Sequence, residues 1–267
     1  MWLGQKVSVI FPTYREKDSL REEVLAAAEC GWVDEVVVVN NNAEPGTSEE
    51  VALAAQDVAT RCLPVEVREV FEPRQGYGAA CLRGLDEATG YYRCLSEPDG
   101  TFVQGDVVKL LVYGDRCDVM LGSRTVTTFI WSGANMWWFL RVGNWAVAKM
   151  LEFLFNTTCL SDVGCTMRAV KAPAFLKMRP YLTIPGNYFG PQMMLVAHLL
   201  NMPVVQIPVN YKERVGVSSV TGDFQKAFKL GMRMIWLILQ YRMMGLSMSK
   251  RFSGAPSSMA RPVRESS

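Results

Sequence analysis

Lys6-Val7-Ser8-Val9-Ile10-Phe11-Pro12-Thr13-Tyr14-Arg15-Glu16 is the stretch that decides the fold. Between residues 7 and 11 the only polar residue is Ser8; the others are β-branched or aromatic. A strand without polar alternation has both faces covered, as in a parallel sheet with helices on each side. Residues 12–16 are the loop that leaves its C-terminal end. Next, Asp18-Ser19 can cap a helix whose apolar positions are Leu20, Val24, Leu25 and Ala28. Residues 35–39 form a second strand ending in Asn40-Asn41-Asn42, and Pro45-Gly46-Thr47-Ser48 opens a helix running to about Thr60. Residues 65–71 are a third strand. Arg74-Gln75-Gly76-Tyr77-Gly78-Ala79-Ala80 leads into a helix ending near Ala88, and residues 91–95 are a fourth strand. Strand and helix alternating at this spacing predict an α/β, doubly wound, mostly parallel sheet.

Such sheets bind ligands at the C-terminal ends of their strands. Tyr14, Glu16, residues 40–42, Arg74, Gly76, Gly78, Glu97 and Asp99 all fall on that edge. The glycine loop is not a G-x-G-x-x-G and follows the third strand instead of the first, so alone it is a weak sign. Ser96-Glu97-Pro98-Asp99-Gly100-Thr101 sets two carboxylates one residue apart at a strand end. Hard divalent cations that carry phosphates prefer such oxygen ligands. The plainer reading is a surface turn, since Pro-Asp-Gly is common turn chemistry. Its place on the ligand edge favours chemistry.

The totals set bounds. The chain has 267 residues, 49% of them hydrophobic, enough for a sizeable core in one α/β unit. With 28 Lys/Arg against 26 Asp/Glu, nothing speaks for nucleic acid. The charge is uneven, however. From Lys212 onward there are ten Lys/Arg and three Asp/Glu, net +7, which leaves −5 on the rest. A basic end on an acidic body points to an anionic surface or ligand. The seven cysteines are scattered without a C-x-x-C and read as reduced core residues of a cytosolic protein. The single histidine, His198, sits in an apolar run and reads as packed, which argues against histidine-based catalysis or metal binding. No signal peptide is expected, and no run of about 18 apolar residues predicts a spanning helix.

Past a fifth strand at residues 118–121 and Gly122-Ser123-Arg124, the character changes. Residues 125–140 hold no charge but include Phe129, Trp131, Trp137, Trp138 and Phe139, and apolar residues continue at helical spacing to Phe155. A core helix and a membrane-interface segment both fit. A polar, glycine-containing element spans residues 161–168. A helix at 188–200 and a strand at 203–209 follow. Arg214, Gly216, Ser218 and Ser219 then supply a guanidinium, backbone N–H groups and hydroxyls suited to phosphate. Residues 223–244 are a last, amphipathic helix. Lys226, Lys229, Arg233, Trp236 and Gln240 share one face, and Phe224, Phe228, Ile235, Ile238 and Tyr241 largely share another. The division expected is a main domain over 1–220, a helix able to lie on a membrane over 221–246, and a disordered basic tail over 247–267.

Taken together, these motifs resemble the glycosyltransferases of family 2, with the Rossmann-like GT-A fold, and among them the dolichol- or polyprenyl-phosphate sugar synthases. The likeness covers roughly residues 6–245. Pro12-Thr13-Tyr14-Arg15-Glu16 matches P-T-Y-N-E with Arg15 for Asn. Glu97-Pro98-Asp99-Gly100 stands where the family has D-x-D-G. Gly122-Ser123-Arg124 matches G-S-R, Asp162 to Arg168 resembles D-x-x-S-G-F-R, and Arg214 to Ser219 resembles R-x-x-G-x-S-K. The departures are Asn40-Asn41-Asn42 for D-D-G-S, Glu97 for the first metal carboxylate, and Cys165-Thr166-Met167 for S-G-F.

The resemblance implies an inverting, metal-dependent hexosyltransferase using a nucleoside-diphosphate sugar. Pro12, Tyr14, Glu16, Asn40, Asn42, Gly76, Gly78, Glu97 and Arg124 are the expected donor contacts. Asp99 and Glu97 are the expected ligands of Mg²⁺ or Mn²⁺. Asp99, Asp162 and Arg168 are the expected catalytic residues, and Arg214, Ser218 and Ser219 the expected acceptor- or phosphate-binding ones. A lipid-phosphate acceptor needs no general base; a sugar hydroxyl does, and Asp162 is then the candidate. The expected place of action is the cytosolic face of the membrane, as a peripheral protein. The alternatives are a soluble family member acting on a sugar hydroxyl or small molecule, a catalytically silent membrane-associated relative, and a nucleotidyltransferase on a similar sheet.

Overall fold

The computed structural model describes residues 1–134, 138–157, 159–215 and 224–247. Ser218, Ser219, Trp137 and the tail beyond Ser247 lie outside the described residues. The elements run β1 (Val7–Thr13), α1 (Lys17–Ala28), β2 (Glu35–Asn40), α2 (Thr47–Thr60), β3 (Glu66–Phe71), α3 (Tyr77–Glu87), β4 (Tyr92–Leu95) and α4 (Val107–Leu111). They continue with β5 (Val119–Ser123), α5 (Trp138–Phe155), β6 (Arg168–Lys171), α6 (Ala172–Met178), α7 (Phe189–Leu199), β7 (Val204–Pro208) and α8 (Phe224–Met244).

The strands make one seven-stranded sheet in the order β3-β2-β1-β4-β6-β5-β7. All neighbours are parallel except β6, which runs antiparallel to both β4 and β5. Every residue of β1 is buried, as its unbroken apolar character requires. Val7, Val9 and Phe11 enter the core under α1, α2 and α4, while Ile10 enters the core under α3, α5, α7 and α8. Parallel registry sets Thr13 beside Asn40 and Ile10 beside Leu95, so the loops after β1, β2 and β4 emerge on one edge.

The structure amends several expectations. Helix α1 starts at Lys17 behind Glu16, so Asp18-Ser19 does not cap it. The Ser19 hydroxyl donates to the Pro98 carbonyl instead, tying α1 to the carboxylate loop. In α8 the buried face is Met234, Leu237, Ile238 and Tyr241; Phe228, expected there, is exposed. Cys81, Cys94 and Cys165 are core residues with thiols raised by burial, but Cys62 and Cys159 are exposed. Strand β6 has no counterpart in the sequence reading, because four residues beginning with an arginine carry too little pattern to see. No helix among the described residues is long and apolar enough to cross a membrane.

His198 packs in α7 with Nε2 lacking a hydrogen-bond partner, and burial pushes its pKa down to about 4. The unfolded chain takes up this proton near pH 6.5. Its contribution to stability is therefore full above about pH 6.5 and falls as pH drops towards 4, by at most about 3 kcal/mol. Denaturant titrations at pH 7 and 4.5 are expected to show a smaller acid loss in His198→Leu than in the wild type.

Candidate active site

The loop after β1 is closed by Glu16. Its Oε2 accepts the Tyr14 and Arg15 backbone N–H groups, both at 2.8 Å. The Arg15 guanidinium lies over the Tyr14 ring, 5.1 Å from its centroid.

The three asparagines after β2 divide their work. Asn40 donates to Glu69 Oε1 and accepts from the Ala43 N–H, and Asn42 donates to the Pro73 carbonyl and Gln75 Oε1. Asn41, 2% exposed, is the one that builds the site. Its Nδ2 donates to the Glu72 and Arg74 carbonyls, both at 2.8 Å, and its Oδ1 accepts the Gly76 N–H at 2.8 Å. A carboxylate could not make the two donated bonds. That is a physical reason for an amide where the family pattern has an acid.

The glycines of the next loop are explained by close approach. A Cβ on Gly76 would stand 2.3 Å from the Pro185 carbonyl oxygen, and one on Gly78 would stand 2.2 Å from that of Ile184. The Ala79 N–H donates to the Pro185 carbonyl at 3.0 Å. Gly78 is thus packed against the 184–186 backbone, whereas Gly76 faces the cavity described below.

After β4, Asp99 is fully buried. Its Oδ1 accepts from the Thr101 N–H (3.0 Å) and hydroxyl (2.5 Å). Among the described residues its Oδ2 has no aligned hydrogen-bond donor; it lies 3.0 Å from Arg214 Nη1 in an ion pair. Arg214 Nη2 donates to Glu16 Oε1 at 2.9 Å. Burial, and then the charge of Asp99, push Glu97 up to about 8, with Arg214 and Arg124 acting in the other direction.

Between β5 and β6, Arg124 and Asp162 form a two-pronged pair. Nε reaches Oδ2 at 2.9 Å, Nη2 reaches Oδ1 at 3.1 Å, and the Arg124 N–H adds a third bond at 3.0 Å. The Gly164 N–H also donates to Asp162 Oδ1. The Arg124 guanidinium stacks on the Tyr211 ring, 5.3 Å from its centroid. Against the cost of burial, the charge of Arg124 holds the Asp162 carboxyl below its usual range. Arg168, 3% exposed, donates only to carbonyls, those of Cys165, Val163 and Gly190, and burial lowers its pKa.

One cavity of about 620 Å³ runs past these groups. Pro12, Tyr14, Glu16, Gly76, Glu97, Arg124, Arg168 and Arg214 line it, as predicted candidates. Asn40, Asn42, Gly78, Asp99 and Asp162 do not; Asp99 lies beneath Arg214 and Asp162 beside Arg124. Asn41 lines it from the expected 40–42 turn and Thr166 from the expected 165–167 segment; Asn144, Asn187 and Tyr211 line it without a signal in the sequence. Single polar residues in loops carry no periodic signal that would have found them. The far end of the cavity is apolar, walled by Phe139, Val147, Met234 and Ile235 from α5 and α8.

Would these residues suit a divalent cation? Among the described residues no group of three or more His, Cys, Asp or Glu side chains gathers as a metal cage. The donor set is two carboxylates, one of them with a buried oxygen lacking any aligned donor. That suits a hard ion that keeps waters and takes substrate phosphate oxygens.

Comparison with known proteins agrees with this geometry. The Glycosyl transferase family 2 profile matches residues 8–175. The chain is 28% identical over 224 residues to an uncharacterized glycosyltransferase of Mycobacterium tuberculosis, covering 83% of this chain and 93% of the relative. It is 24% identical over 159 residues to the dolichyl-phosphate beta-glucosyltransferase of Saccharomyces cerevisiae, covering 54% and 46%. Its fold is similar to that of Mycobacterium tuberculosis glucosyl-3-phosphoglycerate synthase in complex with Mn²⁺, uridine diphosphate and glucosyl-3-phosphoglycerate. There the TM-score is 0.62 at 15% identity, over 90% of this chain and 80% of that one. The chain belongs to glycosyl transferase family 2.

The asparagines give a discriminating test. Asn41→Ala is expected to leave two buried carbonyls and one N–H unpaired and to cost about 1–3 kcal/mol, measured by denaturant unfolding. Asn41→Asp is expected to cost at least as much. Asn42→Gly, whose lost partners are exposed and whose left-handed backbone (φ 51°) glycine adopts without strain, is expected to stay within about 0.5 kcal/mol of wild type.

Proposed function

We propose that this family 2 glycosyltransferase moves a sugar from a nucleoside-diphosphate sugar to a polyprenyl phosphate at a membrane surface, with inversion. The observation that carries the reading is the single cavity. It begins at the strand-end loops, passes Glu97 and three arginines, and ends against the apolar walls of α5 and α8. A donor fits the first part, an anionic acceptor group the arginines, and an apolar chain the last.

In this reading Tyr14, Glu16 and the Asn41-braced glycine loop hold the nucleoside. Asp99 and Glu97 hold Mg²⁺ or Mn²⁺, which when bound supplies positive charge to the leaving diphosphate. Arg124 and Arg168 hold the acceptor phosphate, Arg168 being a buried cation with no carboxylate among its hydrogen-bond partners. A phosphate oxygen attacks the anomeric carbon while the bond to the diphosphate breaks, so no proton has to be removed. This suits Asp162, whose two oxygens are already taken by Arg124 and Gly164. Asp162 acts as the positioning residue for Arg124. Arg214 belongs to the donor side, and Ser218 and Ser219 to its phosphates.

The outer surface of α5 and α8 supports the membrane. Trp138, Val142, Trp145 and Phe153 on α5, and Trp236 and Met243 on α8, are each at least half exposed and do not line the cavity. Lys229, Arg233 and Arg242 stand among them. Aromatic residues with a basic fringe suit an anionic leaflet. A second reading, a small phosphorylated acceptor in solution, draws support from the fold neighbour solved with phosphoglyceric acid.

Two results are expected. Thermal melting with UDP or GDP should rise only with Mn²⁺ present, by the equivalent of about 2.7 kcal/mol at a hundredfold excess over Kd, and the rise should vanish in Asp99→Ala. No metal-dependent nucleotide stabilisation at all would overturn the reading. Separately, the protein should sediment with anionic vesicles, and Trp138→Ala combined with Trp236→Ala should weaken this severalfold. Failure to bind any vesicle would favour the small acceptor.

A further inference from the structure

Arg214 stands where the donor's two main contacts would form. Asp99 Oδ2, the carboxylate oxygen lacking an aligned donor, faces Arg214 Nη1 at 3.0 Å. Glu16 Oε1 accepts from Nη2 of the same guanidinium at 2.9 Å. Arg214 lines the cavity and Asp99 does not, so the guanidinium covers the carboxylate. Its backbone is laced to the carboxylate loop: the Lys212 N–H donates to the Thr101 carbonyl at 2.7 Å, and the Val215 N–H to the Asp99 carbonyl at 2.9 Å. The guanidinium is therefore a tethered cation held at the carboxylate that we assign to the metal.

We infer that Arg214 is a built-in counter-cation which keeps a divalent ion out of the Asp99 site until a nucleoside diphosphate arrives with it. The inference rests on the donor-site reading above. A fully buried carboxylate needs a positive partner, and Arg214 supplies it. A divalent ion arriving alone must displace a tethered guanidinium from Asp99 and leave it with Glu16 as its one remaining carboxylate among the described residues. An ion arriving with a diphosphate gives the guanidinium a new anion of suitable geometry. Metal and nucleotide thus bind with positive coupling, and coupling of this kind is reciprocal.

The test is a Mn²⁺ titration followed by the free-ion electron paramagnetic resonance signal, with and without UDP. In the wild type, UDP is expected to tighten Mn²⁺ at least tenfold. Arg214→Met is expected to bind Mn²⁺ at least fivefold more tightly than wild type without UDP, yet to bind UDP more weakly with Mn²⁺ present. Unchanged or weaker Mn²⁺ binding by Arg214→Met without UDP would overturn the inference while leaving the donor site intact. Glu16→Gln is an independent arm, useful if Arg214→Met does not melt cooperatively. It leaves the guanidinium to Asp99 alone, so Mn²⁺ binding without UDP should weaken at least threefold; no change or a gain would also overturn the inference. Mn²⁺ bound by no variant, with or without UDP, would remove the donor-site reading and this inference with it.

Discussion

The ion pair between Asp162 and Arg124 is the joint on which the side of the cavity that we assign to the acceptor depends. Asp162 is fully buried, and a buried carboxylate persists only when its lone pairs are met. Here three donors from Arg124 and one from Gly164 meet them. The backbone at the joint is held as well. Gln206 of β7 accepts the Ser161 and Asp162 N–H groups and donates to the Gly122 and Asp162 carbonyls. One pair therefore fastens the end of β5, the approach to β6 and the edge strand β7. Removing one partner of such a pair costs about 3–5 kcal/mol, because the other charge is stranded. The arginine that faces the cavity is rigid because the fold cannot spare its partner.

The donor side is built differently. Its loops follow three adjacent parallel strands, and its rigidity comes from amide and backbone groups more than from charge. Asn41 reaches across from the end of β2 to the loop after β3, and the glycine of that loop then meets the 184–186 backbone. The chain segment before α7 is thus the anvil for the glycine loop. The G-x-G spacing answers two backbone carbonyls of the protein itself, which is a more local demand than a bound phosphate makes.

Much of this was legible in the sequence, and what was not has identifiable causes. Unbroken apolar strands at regular spacing announce a parallel sheet, and a parallel sheet announces its ligand edge. Tyr14, Glu16, Gly76, Glu97, Arg124, Arg168 and Arg214 could be placed from those two facts and motif order. The reversal of β6 could not, since direction in a sheet is set by neighbours and not by the four residues concerned. Nor could the choice among Asn40, Asn41 and Asn42, which are identical in type. Only the side on which each residue leaves β2 decides that Asn41 points inward. Asp162 was read as a candidate base from its place in a motif, and only its partners reveal how fully it is engaged. Phe228 and Trp236 show the same limit on α8. Helical spacing finds the two faces, but which face packs depends on where α5 lies.

Glu97 and Asp99 pose the remaining electrostatic problem, and the structure answers it twice over. Two carboxylates one residue apart at the end of a buried strand cannot both be bare anions out of water. Burial and the neighbouring charge push Glu97 up to about 8, which opposes its ionisation. Asp99 keeps its charge company with Arg214. The guanidinium beside Asp99 and the upward push on Glu97 together limit the negative charge held at this strand end. Each of these provisions is also reversible in a way a fixed ion pair is not. In the reading proposed above, a nearby divalent charge would draw Glu97 back towards ionisation. The guanidinium can turn to a phosphate. Arg124 has no such freedom, for Asp162 holds it from behind. The two halves of the cavity thus differ in kind: Asp162 fixes Arg124 from behind, whereas Arg214 stands between Glu16 and Asp99, where in our proposal one set of cations is exchanged for another.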